Sequence, residues 1–134
     1  MNELLIDTDT LSYFLKSDPS VRDRAREYLR VHRGFSFSII TRYEITRGLK
    51  IRNADNQLVR FNSIRGYSRE INLSESIVEQ AAEIYAQLYS QGNIISDADI
   101  LIAATAMVER IPLVTNNQKH FGRIEGLILD NWKS

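Results

Sequence analysis

Acidic residues occur at three places in the sequence where their carboxylates could bind a metal or take part in catalysis. Asp7 and Asp9 follow a short apolar run, Glu44 lies within a helical pattern, and Asp97 and Asp99 open a strongly apolar segment. A carboxylate is costly to bury unless it is paired or bound to a metal, and neighbouring carboxylates repel one another. Because these motifs offer no evident lysine or arginine partner, we expect a hard divalent cation, Mg²⁺ or Mn²⁺, to relieve the repulsion.

Each acidic group also has a simpler structural interpretation. Asp7 or Asp9 could cap the first helix, and the segments Thr41–Glu44 and Ser96–Asp99 both have the spacing of a capping box. A cap needs only one carboxylate, however, and the first and third groups carry two each. The two acids of the third group are two residues apart, so they point to opposite sides of a helix, and spacing alone does not decide which one faces a site.

The elements that must position these acids alternate along the chain. Apolar or alternating segments predict strands at Leu4–Ile6, Phe35–Ser38, Glu70–Leu73, Ile111–Thr115 and Leu127–Leu129. Helical spacing and end signals predict helices at Thr10–Lys16, Val21–Val31, Ile40–Ile51, Asn53–Ile64 and Asp97–Arg110, and one to Ser90 that Ser74 caps. This alternation predicts a three-layer α/β/α sandwich with a mostly parallel sheet of four or five strands, which binds ligands at the carboxyl ends of the strands. We expect five residues in its core: Ile6, Phe37, Ile102, Ala103 and Val114.

Length and composition limit the class of protein. The 134 residues predict a single domain over residues 1–134. The absence of cysteine excludes a disulfide scaffold, a zinc–thiolate site and a cysteine nucleophile, and fits a cytoplasmic location. No apolar run approaches the roughly 20 residues that span a bilayer, and the acidic start is unlike a signal peptide. We therefore expect no membrane association.

Charge is distributed unevenly, although 17 basic residues balance 17 acidic ones. Residues 1–70 contain 13 basic and 9 acidic residues, whereas residues 71–134 contain 4 and 8. The asymmetry could be chance scatter on solvated helices. Alternatively, it indicates a basic face for a polyanion and an acidic region for something cationic.

In order and spacing, these motifs resemble those of the PIN-domain ribonucleases, and more closely those of VapC toxins from type II toxin–antitoxin pairs. The segments that carry the resemblance span most of the chain: Leu5–Asp9, Ile40–Gly48, Asp99–Ala104 and Leu113–Asn117. The tail, Phe121–Leu127 followed by Trp132, is similar to that of VapC enzymes that cut transfer RNA.

The resemblance implies a metal-dependent endoribonuclease that cleaves structured RNA, with transfer RNA as the expected substrate. Asp7, Glu44 and Asp99 would bind Mg²⁺, or Mn²⁺, and direct catalysis. A cognate VapB-type antitoxin would place a basic side chain in the acidic pocket, and a homodimer or a toxin–antitoxin hetero-oligomer would be usual. Asp97, Thr115 and Asn117 are expected in supporting positions: Asp97 as a cap or outer-sphere partner, and Thr115 and Asn117 within the fourth motif.

One position departs from the family pattern. Many PIN domains carry a fourth acid two residues after the threonine of the fourth motif, where this chain has Asn117. An amide contributes no charge, so a fully occupied second metal site is in question, and a non-catalytic module that binds RNA or a partner is one alternative. A haloacid-dehalogenase-like phosphatase is another, since Asp7 and Asp9 match its opening motif. In that family, however, the closing acids should follow Thr115 rather than precede it.

Overall fold

The computed structural model describes residues 2–134, and these form five short strands and seven helices. The strands are β1 Leu5–Ile6, β2 Ser36–Ser38, β3 Arg69–Ile71, β4 Leu113–Val114 and β5 Leu129–Asp130. The helices are α1 Thr8–Leu15, α2 Pro19–Leu29, α3 Ile39–Ile51, α4 Asp55–Arg65, α5 Glu75–Ser90, α6 Asp97–Glu109 and α7 Gln118–Phe121. Every pairing in the sheet is parallel, in the order β3-β2-β1-β4-β5, which places β1 at the centre.

Alternation along the strands separates the core into two halves. Leu5 and Leu113 pack with α5 and α6 on one face of the sheet, whereas Ile6 and Val114 pack with α1–α4 on the other. Successive side chains of a strand point to opposite faces, so even these two-residue strands contribute to both halves. The predicted three-layer α/β/α architecture is confirmed, as is the burial of the five core residues: Ile6, Phe37, Ile102, Ala103 and Val114.

Most element ends differ from the sequence prediction by one or two residues, and one helix was not predicted. Helix α1 begins at Thr8 rather than Thr10, because the Asp7 carbonyl already accepts the first helical hydrogen bond, from the Leu11 amide at 3.0 Å. Strand β5 lies two residues later than predicted at its start, since Leu129 pairs with Leu113 and Ile128 is exposed. Helix α7 was not predicted, because a single turn is too short to show periodicity.

Serine hydroxyls cap the N-termini of three helices, α3, α5 and α6. Ser38, Ser74 and Ser96 each accept a hydrogen bond from a backbone amide in the first turn of α3, α5 and α6. The capping-box interpretation of Thr41–Glu44 is wrong, because α3 already begins after Ser38 and Glu44 lies in its second turn. Glu44 is therefore available for another role.

Ion pairs join the elements at the opposite, amino edge of the sheet. Arg69 of β3 pairs with Glu3, which precedes β1, at 2.8 Å and also with Glu109 in the last turn of α6. Glu3 in turn accepts a hydrogen bond from the Ser36 hydroxyl of β2 at 2.6 Å. The carboxyl end of α6 is thus held to the sheet by opposite charges. No helix within residues 2–134 combines the length and apolar character needed to cross a membrane.

Candidate functional site

Asp7 lies at the centre of the candidate site, directly after the central strand β1. Its side chain is only 4% exposed. The Thr115 hydroxyl, directly after the neighbouring strand β4, donates to Asp7 Oδ2 over 2.7 Å. The second oxygen, Oδ1, is buried and has no hydrogen-bond partner among the described residues. A buried carboxylate oxygen without a hydrogen bond is costly, so this atom is suited to contact a cation.

Burial raises the pKa of Asp7 well above its ordinary value, and the negative charge of Asp9 and then of Asp99 raises this pKa further. The Thr115 hydroxyl, and after it the Thr8 backbone amide, favour the ionised form but do not offset these effects. In the absence of a cation, the Asp7 carboxyl therefore holds its proton to an unusually high pH.

Asp99, in the first turn of α6, belongs to the same electrostatic group. Burial raises its pKa first, followed by the charges of Glu44 and Asp9, while a hydrogen bond with Ser96 and the nearby His120 act in the opposite direction. The His120 Nδ1 atom lies 3.9 Å from Asp99 Oδ2. The interactions of Asp7 with Asp99, and of Asp99 with Glu44, show that the structure brings the three predicted site residues together at the carboxyl edge of the sheet.

Glu44 reaches this edge from α3, the helix that follows β2. Its Oε1 atom accepts a hydrogen bond from the Thr8 hydroxyl at 2.7 Å, and the hydroxyl oxygens of Thr8 and Thr41 are 3.0 Å apart. The guanidinium of Arg47 lies 3.8 Å from Glu44 Oε2 and stacks over the Tyr43 ring at 5.0 Å. The expectation that no basic side chain accompanies these acids is therefore wrong for Glu44.

Asp9 and the segment after β4 complete the site. The Asn116 amide donates to Asp9 Oδ2 over 3.1 Å, and the Thr115 hydroxyl lies 3.4 Å from Asp9 Oδ1. The Asn117 amide donates to the Thr115 hydroxyl oxygen over 3.0 Å, while the Asn117 side-chain nitrogen is 3.0 Å from His120 Nδ1. Thr115 thus contacts both acids that follow β1.

Asp97 differs from the other predicted site residues. Its side chain is exposed at the start of α6 and forms no hydrogen bond or ion pair with any residue in the described part of the chain. Ser96, not Asp97, caps the helix, through a hydrogen bond from the Asp99 amide at 3.2 Å. The structure therefore gives Asp97 neither a capping bond nor a partner.

The donor chemistry of the site fits a hard divalent cation. Asp7, Asp9, Glu44 and Asp99 offer only oxygen atoms, and one oxygen of Asp7 is buried without a partner. Within residues 2–134, no three acidic or histidine side chains are drawn together tightly enough to enclose a metal ion in the conformation described. The site therefore suits a divalent cation through the oxygen atoms and negative charge of its side chains, although these side chains do not form a closed coordination shell.

Sequence reasoning missed three residues that contact these acids. Arg47 had a usable signal, because residues three apart on a helix are neighbours and Arg47 follows Glu44 at that spacing. Thr8 was quoted only as part of a motif, although its hydroxyl bonds to Glu44 across 36 positions of sequence. His120 had no signal, since α7 was not predicted and only that helix brings the imidazole towards Asp99.

The metal-free protein is expected to become less stable as pH rises. The pKa values of Asp7 and Asp99 in the folded state lie above the ordinary value for aspartate, so the folded state binds these protons more tightly than the unfolded state does. Their contribution to the free energy of unfolding is fully present below about pH 4 and is lost as pH rises through the raised values. Thermal unfolding in chelator between pH 4 and pH 8 measures this trend.

The Asp7→Asn variant isolates the contribution of one carboxyl. It should be more stable than wild type at pH 8, because burial and the charge of Asp9 disfavour the ionised Asp7 carboxyl, and it should have no such advantage at pH 4, where that carboxyl holds its proton. Asp55→Asn, at an exposed acid in the first turn of α4, is the matched control and should follow wild type at both pH values. An Asp7→Asn advantage that does not change with pH would contradict the explanation.

Comparison with known proteins identifies the family. The PIN domain profile matches residues 4–127. Ribonuclease VapC1 of Methanocaldococcus jannaschii is 33% identical over 124 residues, which cover 92% of this chain and 82% of that protein. The tRNA(fMet)-specific endonuclease VapC of Shigella flexneri is 25% identical over 138 residues, with 98% and 99% of the two chains covered.

A solved structure agrees with these matches. The crystal structure of VapBC2 from Rickettsia felis, bound to a DNA fragment from its promoter, contains a chain that aligns with a TM-score of 0.88 and 26% identity, covering 98% of this chain and 100% of that one. The phosphatase alternative is excluded, because the PIN match spans all four acidic positions in the observed order. This chain therefore belongs to the PIN-domain family and, within it, to the VapC ribonucleases.

Proposed function

We propose that this chain is the ribonuclease toxin of a toxin–antitoxin pair and cleaves RNA in a reaction that requires Mg²⁺ or Mn²⁺. The observation that carries the proposal is Asp7, a buried carboxylate that leaves one oxygen without a hydrogen bond from the described residues and that lies in the field of Asp9 and Asp99. A purely structural acid at the centre of a sheet would have its hydrogen bonds satisfied. Membership of the VapC ribonucleases supports RNA cleavage as the reaction. The carboxylate oxygens of the site support the binding of a cation.

Asp7, Glu44 and Asp99 would hold the divalent cation, which neutralises their charge and supplies the Lewis acidity that phosphodiester hydrolysis needs. The hydroxyls of Thr115 and Thr8 fix the orientation of Asp7 and Glu44 through bonds of 2.7 Å each. Carboxylate oxygens of Glu44 and Asp99 can accept a hydrogen bond from an attacking water and orient it. These side chains come from the sheet, from α3 and from α6, so the fold assembles the site.

Cationic side chains on α3, the helix that carries Glu44, support an RNA substrate. Arg42, Arg47 and Lys50 line one groove along α3 together with the exposed ring of Tyr43. Phosphate groups are attracted by such cations, and an exposed aromatic ring can stack on a base. The groove belongs to the basic half of the chain, which strengthens the interpretation of that half as a polyanion-binding face.

Transfer RNA is the substrate that we propose. The relative from Shigella flexneri is named a tRNA(fMet)-specific endonuclease, and it aligns over nearly the whole of this chain. The tail, Phe121–Leu127 followed by Trp132, is similar to that of VapC enzymes that cut transfer RNA. Phe121 and Trp132 are both buried, so the tail is an integral part of the core.

An antitoxin of the VapB type is the proposed protein partner. The Rickettsia felis structure is a VapBC complex, and other VapBC complexes from bacteria share the fold of this chain. A basic side chain of the antitoxin would find four carboxylates at the site. Among the described residues, the basic groups next to them are Arg47, beside Glu44, and His120, beside Asp99. The same pocket can thus take a metal ion or an inhibitory cation. We propose a homodimer or a toxin–antitoxin hetero-oligomer as the assembly.

Incubation of the purified protein with total cellular RNA tests the proposal. Cleavage should occur with Mg²⁺, should stop in chelator and should return when Mg²⁺ or Mn²⁺ is added back, and mapping of the ends should place the cuts in transfer RNA. The Asp7→Asn variant is the control for a contaminating nuclease. RNA that binds but is not cut under any metal condition would contradict the proposal and support the non-catalytic module.

RNA affinity should depend on Arg47 through its charge. In an Asp7→Asn background that leaves RNA intact, Arg47→Ala should weaken transfer RNA binding several-fold and lower the slope of log affinity against log salt by about one. Arg33→Ala in the same background is the matched control, because Arg33 is an exposed arginine before β2, at the amino edge of the sheet. Binding and salt titrations that change equally in both variants would rule out a specific role for the α3 groove.

A further inference from the structure

We propose that Asp9 is a fourth metal-binding carboxylate of this site, in addition to the three acids of the family motifs, and that it supplies the charge that Asn117 lacks. The inference rests on the proposed metal-dependent function and extends it to one further ligand. Asp9 is part of the first turn of α1, two residues after Asp7, and its side chain is directed to the end of β4. Four observations carry the proposal.

The first observation is the position of the Asp9 carboxylate. It accepts hydrogen bonds from the Asn116 amide at 3.1 Å and from the Thr10 hydroxyl at 3.2 Å, and it lies 3.4 Å from the Thr115 hydroxyl that also binds Asp7. The shared hydroxyl therefore holds both carboxylates on one side of the sheet edge. An acid that capped α1 in the ordinary way would instead bond to the amides of that helix.

The second observation is that no basic side chain within residues 2–134 pairs with Asp9. In the described part of the chain, no lysine, arginine or histidine forms an ion pair with it, and all its hydrogen-bond donors are neutral. Glu44 differs in having Arg47 at 3.8 Å, and Asp99 has His120 at 3.9 Å. Asp9 and Asp7 are therefore the two acids of the site whose charge depends most on an added cation.

The third observation is the buried Oδ1 atom of Asp7, which accepts no hydrogen bond from any residue that the structure describes. The charge of Asp9 is the strongest charge–charge effect on the Asp7 carboxyl and also acts on Asp99. The unpartnered oxygen and the uncompensated charge thus belong to neighbouring side chains. One cation bound between these side chains would satisfy both.

The fourth observation concerns Asn117, which takes the sequence position of the missing acid. Its side-chain nitrogen contacts His120 Nδ1 at 3.0 Å, and its backbone amide donates to Thr115. The side chain thus links the end of β4 to α7 and carries no charge. Asp9 reaches the same short segment from α1 and brings a full negative charge to it.

Metal affinity tests the proposal on the intact protein, with Mn²⁺ as the probe in calorimetric or paramagnetic-resonance titrations. Asp9→Asn keeps the shape and an acceptor oxygen for the Asn116 amide but removes the charge. It should weaken Mn²⁺ binding at least tenfold without lowering the melting temperature in chelator. Asp55→Asn, at an exposed acid in the first turn of α4, should bind Mn²⁺ as wild type does.

A second measurement needs no substitution. In wild type, a Mg²⁺ titration followed by carbon-13 NMR should shift the carboxyl resonances of both Asp7 and Asp9. Wild-type Mn²⁺ affinity in Asp9→Asn, or an Asp9 resonance that does not respond while that of Asp7 does, would overturn the proposal and leave Asp9 as a clamp on the segment after β4. Absence of Mn²⁺ binding in wild type would instead contradict the metal dependence of the proposed function itself.

Discussion

Expression of wild type without its antitoxin is expected to arrest bacterial growth, and expression of Asp7→Ala is expected to leave growth unimpaired. The substitution removes the central carboxylate, with both the oxygen that Thr115 holds and the oxygen that has no partner. We expect the rate of RNA cleavage to fall by about three orders of magnitude or more, which corresponds to a barrier raised by about 4 kcal/mol. Growth curves after induction, with cleavage assays on the purified variant, measure the effect.

Thermal melting in chelator is the control that makes this result interpretable. Asp7→Ala relieves repulsion among buried carboxylates, so the metal-free variant should melt at or above the temperature of wild type. A well-folded variant that still arrests growth would contradict the metal-nuclease mechanism and favour a binding module. A variant that melts well below wild type would contradict the expected relief of repulsion, and its loss of toxicity would then carry no information about the role of Asp7.

Asp99→Asn is expected to lose nearly all cleavage, whereas Asp97→Asn is expected to retain measurable cleavage. Both residues are aspartates in the first turn of α6, and they differ only in their surroundings. Asp99 lies in the field of Glu44 and Asp9, while Asp97 is exposed and has no partner within the described residues. Rates of cleavage of one defined transfer RNA, measured at saturating Mg²⁺, compare the two directly.

The ratio of the two rates is the informative quantity. Both substitutions remove one negative charge from the first turn of α6, so any general effect on the helix dipole is the same in both. Equal losses would show that the site does not distinguish the two faces of the helix. A larger loss in Asp97→Asn would mean that the metal-binding role belongs to Asp97.

Much of the fold could be predicted because its signals are local. The all-apolar run after Asp99 predicted a buried helix, and Ile102, Ala103 and Ala104 are all fully buried. The parallel sheet followed from the alternation of helices and strands, although its strands are only two or three residues long. Short strands and the single turn of α7 leave weak patterns, which explains the shifted ends and the missing helix.

The acidic residues of the candidate site could be predicted from the sequence, but the hydrogen bonds and contacts among them could not. Asp7, Glu44 and Asp99 were chosen from order and motif resemblance, and the fold does bring them to one edge. The bond from Thr8 to Glu44 and the contact of Asp9 with the segment after β4 connect residues 36 and about 107 positions apart. No local periodicity encodes such contacts, because they depend on how the layers pack.

Helix α6 is electrostatically polarised along its length. Its last turn is tied to the sheet by the Arg69 pair with Glu109, while its first turn carries Asp99 into a group of like charges. Local opening of a folded protein begins where the structure is least stable, so in the metal-free protein α6 should fray from Asp99 towards Glu109. The rate of amide hydrogen exchange would then fall from Asp99 to Glu109, steeply without a divalent cation and only slightly with one. This difference in exchange rates would report whether the site holds a cation, even when no substrate is present.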